Sequence, residues 1–293
     1  MSSVWSWWII IGTVVTLVAC FWLIVWTNRQ RASDDEITES EAHVWDEDVR
    51  ELNNPLPMWW LYLFVITVIW AAGYLIWYPG MGGFTGVGDW SQEGQYDAEV
   101  AAAEAQYGPM FAAYGATSVE ELIQDEDALG IGFSLYQNYC SQCHGSTAQG
   151  ARGFPNLTDG EWQYGGTPAA IEHSILNGRV GVMPALGATF ASDDEIEAMV
   201  DYTLALQDGP DTSSPAHTKY MQLCIACHGA DGSGMAALGA PSLVDDIWLY
   251  GASRDQVRES IAEGRNGVMP AHANLIGPDR ARILAAYVYS LSQ

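Results

Sequence analysis

Two long stretches of the chain carry no charge, and the remainder alternates between short amphipathic runs and glycine-rich breaks. The first uncharged run is Val4 to Trp26. As a helix rising about 1.5 Å per residue, it is long enough to cross the hydrocarbon core of a bilayer. Trp5, Trp7 and Trp8 stand at one end and Trp22 and Trp26 at the other, where aromatic belts meet the membrane surface. The second run, Met58 to Tyr78, opens on Trp59 and Trp60 and closes on Trp77 and Tyr78 before Pro79 and Gly80 break it. The first run lacks the basic flank and small-residue cleavage site of a signal peptide, so it reads as a retained helix. The second is too long and too apolar all round for a buried soluble helix.

Segments follow from these runs: residues 1–26 with the first transmembrane helix, a loop over 27–57, and a second transmembrane helix over 58–78. Arg29, Arg31 and Arg50 lie in the loop and no Lys or Arg lies before it. Basic residues stay on the cytoplasmic side, so the loop is expected there and both chain ends on the opposite side. Residues 79–129 read as a linker, glycine-rich from Gly80 to Gly94. An alanine-rich stretch, Asp97 to Tyr107, predicts a short helix within it.

From residue 130 the chain repeats itself. Cys140-Ser-Gln-Cys143-His144-Gly145 recurs as Cys224-Ile-Ala-Cys227-His228-Gly229, and Gly153-Phe-Pro155-Asn-Leu157 as Gly239-Ala-Pro241-Ser-Leu243. Trp162-Gln-Tyr164-Gly165 recurs as Trp248-Leu-Tyr250-Gly251. Gly178-Arg179-Val-Gly181-Val-Met183-Pro184-Ala185 recurs as Gly264-Arg265-Asn-Gly267-Val-Met269-Pro270-Ala271. The offset grows by two residues after the cysteine motif, which a small loop insertion explains. The repeats predict two related domains, 130–208 and 214–293, joined by a turn-rich segment near Asp208 to Pro215.

The domains read as helical. Phe133, Tyr136 and Tyr139, three apart, suggest one helix face. Ser192-Asp-Asp-Glu195 predicts a capping box opening a helix to Leu206. Pro278 precedes another helix, Asp279 to Leu291. No strand shows a convincing alternation. Each domain is close to the size below which a hydrophobic core alone is marginal, so each is expected to need its bound group to fold.

Composition narrows the function. With 11 Lys+Arg against 36 Asp+Glu, the formal net charge is -25, which excludes a phosphate-gripping nucleic-acid binder. Five cysteines are too few for a disulfide scaffold. Four of them form the two repeated pairs, and Cys-x-x-Cys-His is the attachment signature of c-type haem. Cys140 with Cys143, and Cys224 with Cys227, place two thiols one helical turn apart for the two vinyl groups of a porphyrin. His144 and His228 then fall beneath the iron. Zinc needs about four ligands per site and leaves the repeated methionines unexplained. A redox dithiol would sit in a βαβ context that is missing.

Met183 and Met269 are the candidate second axial ligands. Spacing favours each methionine serving its own domain; exchange between the domains is the alternative. His/Met ligation raises the reduction potential. It also closes both axial positions, so the sites carry electrons and leave no place for oxygen or peroxide. Carbonyls near Pro155 and Pro241 are candidates to accept the proximal ring N–H. Arg179 and Arg265 are candidates for pairing with propionates, against a reading as surface arginines. Trp162, Trp248, Tyr164 and Tyr250 read equally as ring-edge neighbours or core. His43, His173, His217 and His272 have no repeated counterpart and read as surface or packing residues. Cys20 reads as a packing residue, and so do Met58, Met81, Met110, Met199, Met221 and Met235.

Membrane helices, a glycine-rich linker and two tandem Cys-x-x-Cys-His domains together resemble the dihaem subunit III of cbb(3)-type cytochrome c oxidases. The stretch His43-Val-Trp-Asp46 through Asn53-Asn54-Pro55-Leu-Pro57-Met-Trp59-Trp60, with the helix ending Tyr78-Pro79-Gly80, is similar to that family's anchor. Asn266-Gly267-Val268-Met269-Pro270-Ala271-His272 is similar to its second haem segment. The resemblance implies an all-α fold, two transmembrane helices followed by two tandem class I cytochrome c domains, with two covalently bound c-type haems. It implies a place in the bacterial inner membrane with both haem domains on the periplasmic side. It implies electron transfer from a donor cytochrome c toward the haem-copper catalytic subunit, directly or through a monohaem cytochrome c subunit. The other readings are a free-standing anchored dihaem shuttle, a cytochrome subunit of a periplasmic dehydrogenase, a dihaem peroxidase, and a structural assembly factor. The acidic surface reads as salt adaptation ahead of steering for a basic donor.

Overall fold

The computed structural model describes residues 3–29, 44–45, 49–50 and 57–293. Most of the loop expected over 27–57, with Arg31, His43 and much of the anchor signature, lies outside the described residues. Two units emerge, residues 1–105 and 106–293.

The first unit holds α1 (Ser3–Arg29), a two-residue antiparallel pair β1 (Val44–Trp45) and β2 (Val49–Arg50), and α2 (Met58–Trp77). Both long helices expose large apolar side chains on every side, Trp8, Val18, Ile66 and Trp70 among them. A soluble core helix would bury such residues, so this exposure fits lipid as the surrounding solvent. The helix spans that qualify by length and composition are Ser3–Trp26 and Met58–Trp77. After α2 the chain folds back on the helix end: Val87 N–H donates to the Ile76 carbonyl at 3.0 Å and Gly88 N–H to that of Trp77 at 2.9 Å. Gly86 has φ +79 and lies against the Trp77 carbonyl, a turn that leaves no room for a Cβ. The predicted linker helix proves longer: α3 runs Gln92–Ala116 and continues through Pro109.

The second unit contains α4 (Val119–Leu122), α5 (Glu126–Tyr139), the single turn α6 (Ser141–His144), α7 (Pro168–Asn177), β3 (Arg179–Met183) and α8 (Asp193–Leu204). Then come α9 (Pro215–Leu223), the single turn α10 (Ile225–His228), α11 (Arg254–Glu263), β4 (Arg265–Met269) and α12 (Ala273–Ser290). Local signals set the boundaries. Ser118 and Glu121 form a capping box on α4, and Ser253 and Gln256 form one on α11. Thr167 caps α7 with Pro168 in its first turn, and Gly178 ends it at φ +69. At α8 the Ser192 hydroxyl accepts from Glu195 N–H, but the Glu195 carboxylate reaches back one residue further, to Ala191 N–H. Helix α12 is broken at Gly277, φ +76, so its long part follows the kink, close to the start predicted at Asp279.

Contrary to the strandless reading, β3 and β4 form an antiparallel ribbon, with Arg179 opposite Met269 and Met183 opposite Arg265. The usual alternation is inverted. Val180, Val182 and Val268 face outward at 66–67% exposure, while Arg179, Gly181 and Met183 turn inward. Of the three predicted face residues on α5 only Tyr136 is fully buried; Phe133 and Tyr139 are exposed. Residues six apart are rotated by about 120° on a helix, so one face cannot hold all three.

The two cores do not follow the two repeats. One gathers Val119, Leu122, Ala128, Tyr136, Ile171 and Ile175 with Ile276, Ala281, Leu284, Ala285, Ala286 and Val288 of α12. The other gathers Phe190, Ile196, Met199, Val200 and Leu206 with Tyr220, Val257 and Ile261. The segment after each methionine therefore crosses to the other half. Matching hydrogen bonds mark the crossings: Leu186 N–H donates to the Ile261 carbonyl and His272 N–H to that of Ile175, both at 3.0 Å. Ion pairs agree. Arg254 and Arg258 on α11 pair with Asp193, Glu197 and Asp201 on α8, and Arg282 on α12 pairs with Glu172 on α7. Unexchanged helices would set acidic α8 against Glu172 of α7, and Arg282 of α12 against the arginines of α11.

Candidate haem-attachment sites

Each cysteine motif lies at the end of a helix and forms a turn of its own. Helix α5 hands over to α6 at Cys140, and α9 to α10 at Cys224. His144 N–H donates to the Cys140 carbonyl at 3.0 Å and His228 N–H to that of Cys224 at 2.9 Å, closing the turn. Gly145 and Gly229, both at φ +78, end these turns. The Tyr136 hydroxyl donates to the Gly145 carbonyl at 2.7 Å, and the Tyr220 hydroxyl to that of Gly229 at 2.8 Å. A buried tyrosine thus fastens each motif to its core.

None of the four motif cysteines is paired in a disulfide. Burial, with a smaller contribution from the neighbouring motif cysteine, pushes Cys140 and Cys224 up to about 11. A redox-active dithiol works through a lowered thiol pKa, so the environment opposes that reading. Among the described residues no group of three or more His, Cys, Asp and Glu is placed to hold a metal ion.

The two motif histidines are held, as anticipated, near the two prolines. His144 Nδ1 lies 3.0 Å from the Pro155 carbonyl and His228 Nδ1 lies 3.0 Å from that of Pro241. A carbonyl only accepts, so Nδ1 carries the proton and Nε2 keeps its lone pair for a metal. Burial lowers the pKa of His144; the Pro155 bond opposes this and nearby His272 adds to it. Burial likewise lowers that of His228, against the Pro241 bond. Both rings are thereby held toward the neutral form a ligand needs.

The methionines occupy crossed positions. Met269 packs on the core that contains Tyr136 and Ile171, together with Cys140 and Trp162. Met183 packs on the core that contains Tyr220 and Val257, together with Cys224 and Trp248. Spacing along the chain favours the opposite pairing. The ribbon favours the exchange alternative, because antiparallel pairing carries each strand end past its own half. Two thiols a turn apart, a histidine with a free Nε2 and a thioether sulfur in the same core fit a covalently attached haem at each site.

Around each site the arrangement repeats, with a charge asymmetry. Arg179 Cζ lies 4.6 Å from the Tyr164 ring centre, and Arg265 Cζ lies 4.7 Å from that of Tyr250. Arg179 Nε donates to Ser174 Oγ and Arg265 Nε to Ser260 Oγ, both at 2.9 Å. Tyr164 reaches Gly239 in the other half, and Tyr250 reaches Gly153. A cleft of about 470 Å³ lies between the loops that carry Pro155, Trp162, Pro241 and Trp248. The asymmetry is an ion pair: Glu259 accepts from Arg265 at 2.7 Å and from Arg152 at 2.6 Å. The repeat counterpart of Glu259 is His173, and that of Arg152 is Leu238. Neither Arg152 nor Glu259 stands out from the sequence, and their missing counterparts are the available signal. His272 has a buried Nδ1 without a hydrogen-bond partner among the described residues; its repeat counterpart is Leu186.

Known proteins carry the same features. The model for the N-terminal domain of cytochrome oxidase-cbb3, FixP, matches residues 37–85. The model for cytochrome c oxidase, cbb3-type, subunit III, matches twice, at residues 127–202 and 214–288. The Cbb3-type cytochrome c oxidase subunit CcoP of Rubrivivax gelatinosus is 41% identical over 100% of this chain and 96% of its own length. Subunit CcoP of Azospirillum sp. is 38% identical over 88% of this chain and 97% of its own. Subunit FixP of Sinorhizobium medicae is 36% identical over 88% of this chain and 96% of its own. Likeness to oxidase subunits over such lengths sets aside the free-standing shuttle, the dehydrogenase subunit, the peroxidase and the assembly factor. The chain belongs to the subunit III family of cbb3-type cytochrome c oxidases and is a membrane-anchored electron-transfer subunit of such a complex.

Proposed function

We propose that the chain holds two covalently bound c-type haems with crossed axial ligation. Cys140 and Cys143 anchor the first, with His144 and Met269 as its axial ligands. Cys224 and Cys227 anchor the second, with His228 and Met183. The observation that supports this most is the packing of each methionine in the core of the other repeat's cysteine motif. When bound, each haem supplies a one-electron carrier. The protein's own share is to fix the ligands. Pro155 and Pro241 orient the imidazoles, Gly178 and Gly264 let the ribbon close, and the buried tyrosines hold the motif turns.

Electrons enter from a donor cytochrome c and leave toward the haem-copper subunit, directly or through a monohaem cytochrome c subunit. With both axial positions filled from the protein, oxygen reduction belongs to that catalytic subunit. The apolar helices α1 and α2 anchor the chain in the bacterial inner membrane, and the arginines of the loop favour periplasmic haem domains.

The test uses the full-length chain purified in mild detergent. Met269→Ala is expected to abolish methionine ligation at the haem that is lost in a Cys140→Ala/Cys143→Ala chain, and Met183→Ala at the other. The far-red charge-transfer band of methionine-ligated ferric haem and its paramagnetic resonance report ligation site by site. If each methionine instead affects its own repeat's haem, the crossed assignment is wrong. Copurification of b-type haem, copper and cyanide-sensitive oxygen uptake tests the place in the oxidase.

A further inference from the structure

We propose that the one-sided ion-pair cluster Arg152–Glu259–Arg265 sets the order of the two reduction potentials, making the haem anchored at Cys224 and Cys227 the lower of the pair. The inference rests on the crossed ligation proposed for the two haems. An oxidised haem carries one more positive charge than a reduced one. A nearby unneutralised cation therefore favours the reduced form and raises the potential, and a carboxylate opposes it.

The ribbon places one arginine at each site. Arg179 stands opposite Met269, and Arg265 opposite Met183. The two share their neighbours, a tyrosine ring, a serine hydroxyl and a helix carbonyl. They differ in one contact. Arg265 Nη1 donates to Glu259 at 2.7 Å, whereas Arg179 has no carboxylate partner among the described residues. The sequence states the cause: Glu259 is replaced by His173 at the first site. Arg152 adds a second cation to Glu259, but its side chain is 54% exposed against 16% for Arg265. Water screens it more, so the carboxylate acts chiefly on the buried guanidinium. Hydrogen bonds from Arg265, then its charge, and the same from Arg152, hold Glu259 down to about 2, so it is ionised at any physiological pH.

The experiment is a potentiometric titration of the solubilised full-length chain, followed optically. Two one-electron waves are expected. Met183→His and Met269→His, which keep six-coordination and lower the potential, identify which wave belongs to which site. Glu259→Gln should raise the lower wave, the one Met183→His moves, with a severalfold change in electron sharing between the haems. Arg152→Gln should shift that same wave downward, whereas loosening of the site would move both variants in one direction. His173→Glu should lower the upper wave. The inference is overturned if Glu259→Gln moves the Met269→His wave, moves both equally, or moves neither. Failure of the ligation reading would be separate: the methionine variants would then leave the far-red band intact or alter the wrong site.

Discussion

Gly178 lies against the main-chain oxygen of Met269, and a Cβ at that position would collide with it. The equivalent Gly264 lies in the same way against Met183. At φ +69 and +75 both positions also favour glycine on backbone grounds. A residue that ends a helix in one repeat thus determines whether the methionine of the other can be seated.

Gly178→Ala is therefore expected to disturb the site of Cys140 through Met269 and to leave the site of Cys224 comparatively intact, with Gly264→Ala doing the reverse. Loss of the far-red methionine band at one haem, measured in chains that lack the other haem, checks the pairing. Equal loss at both sites would show only a general loosening of the ribbon.

Leu284 on α12 is fully buried in the core that holds Tyr136. Leu284→Ala should cost about 2–5 kcal/mol, as for other buried leucines. The loss should be felt by the first repeat, although the residue comes from the end of the second. Denaturant titration followed at each haem separately would show the Cys140 site failing first. Gly132→Ala should act on the same contact, because its Cβ would come within 2.5 Å of Tyr287 Cβ.

Charge polarity favours the exchanged arrangement. The arginines at 254 and 258 meet the acids of α8, while Glu172 of α7 meets Arg282 of α12. Single exposed pairs are worth about 0–1 kcal/mol, so the network acts as a group. Arg254→Glu/Arg258→Glu should lower the melting temperature at low salt, and the difference should shrink as salt screens the repulsion. A deficit independent of ionic strength would point to lost packing instead.

The Glu259 cluster has a pH signature. The carboxyl group is depressed from 4.5 to about 2, so its contribution to stability is fully present above about pH 4.5. It is lost as pH falls through about 2. The gap between the wild-type and Glu259→Gln melting temperatures should accordingly be constant near neutrality and close over that acid window.

Much of the chemistry can be read before the fold. Cys-x-x-Cys-His points to its own bound group, and the repeated Gly-Val-Met-Pro-Ala marks the proposed second ligand because both copies keep it. Carbonyls near Pro155 and Pro241 are anticipated from the need to orient an imidazole. Partner choice across the repeat is not legible. Met183 and Met269 have nearly the same sequence surroundings, so spacing gives each its own histidine, and only the antiparallel pairing of Arg179 with Met269 supports the proposed exchange. The strands escape notice for a related reason. Their valines face outward and a glycine and an arginine face inward, the reverse of the pattern by which a half-buried strand is recognised. Arg152 and Glu259 are invisible as a pair because their contact joins loop and helix from different repeats.

The position of α12 also constrains the order of events in the life of the chain. A polypeptide is made from its N-terminus, so Cys140 and Cys143 are available long before Leu284 exists to cover Tyr136 and its neighbours. The first site stays open until the last helix arrives. On the proposed covalent attachment, Cys140 and Cys143 can therefore be reached before α12 covers the core they join.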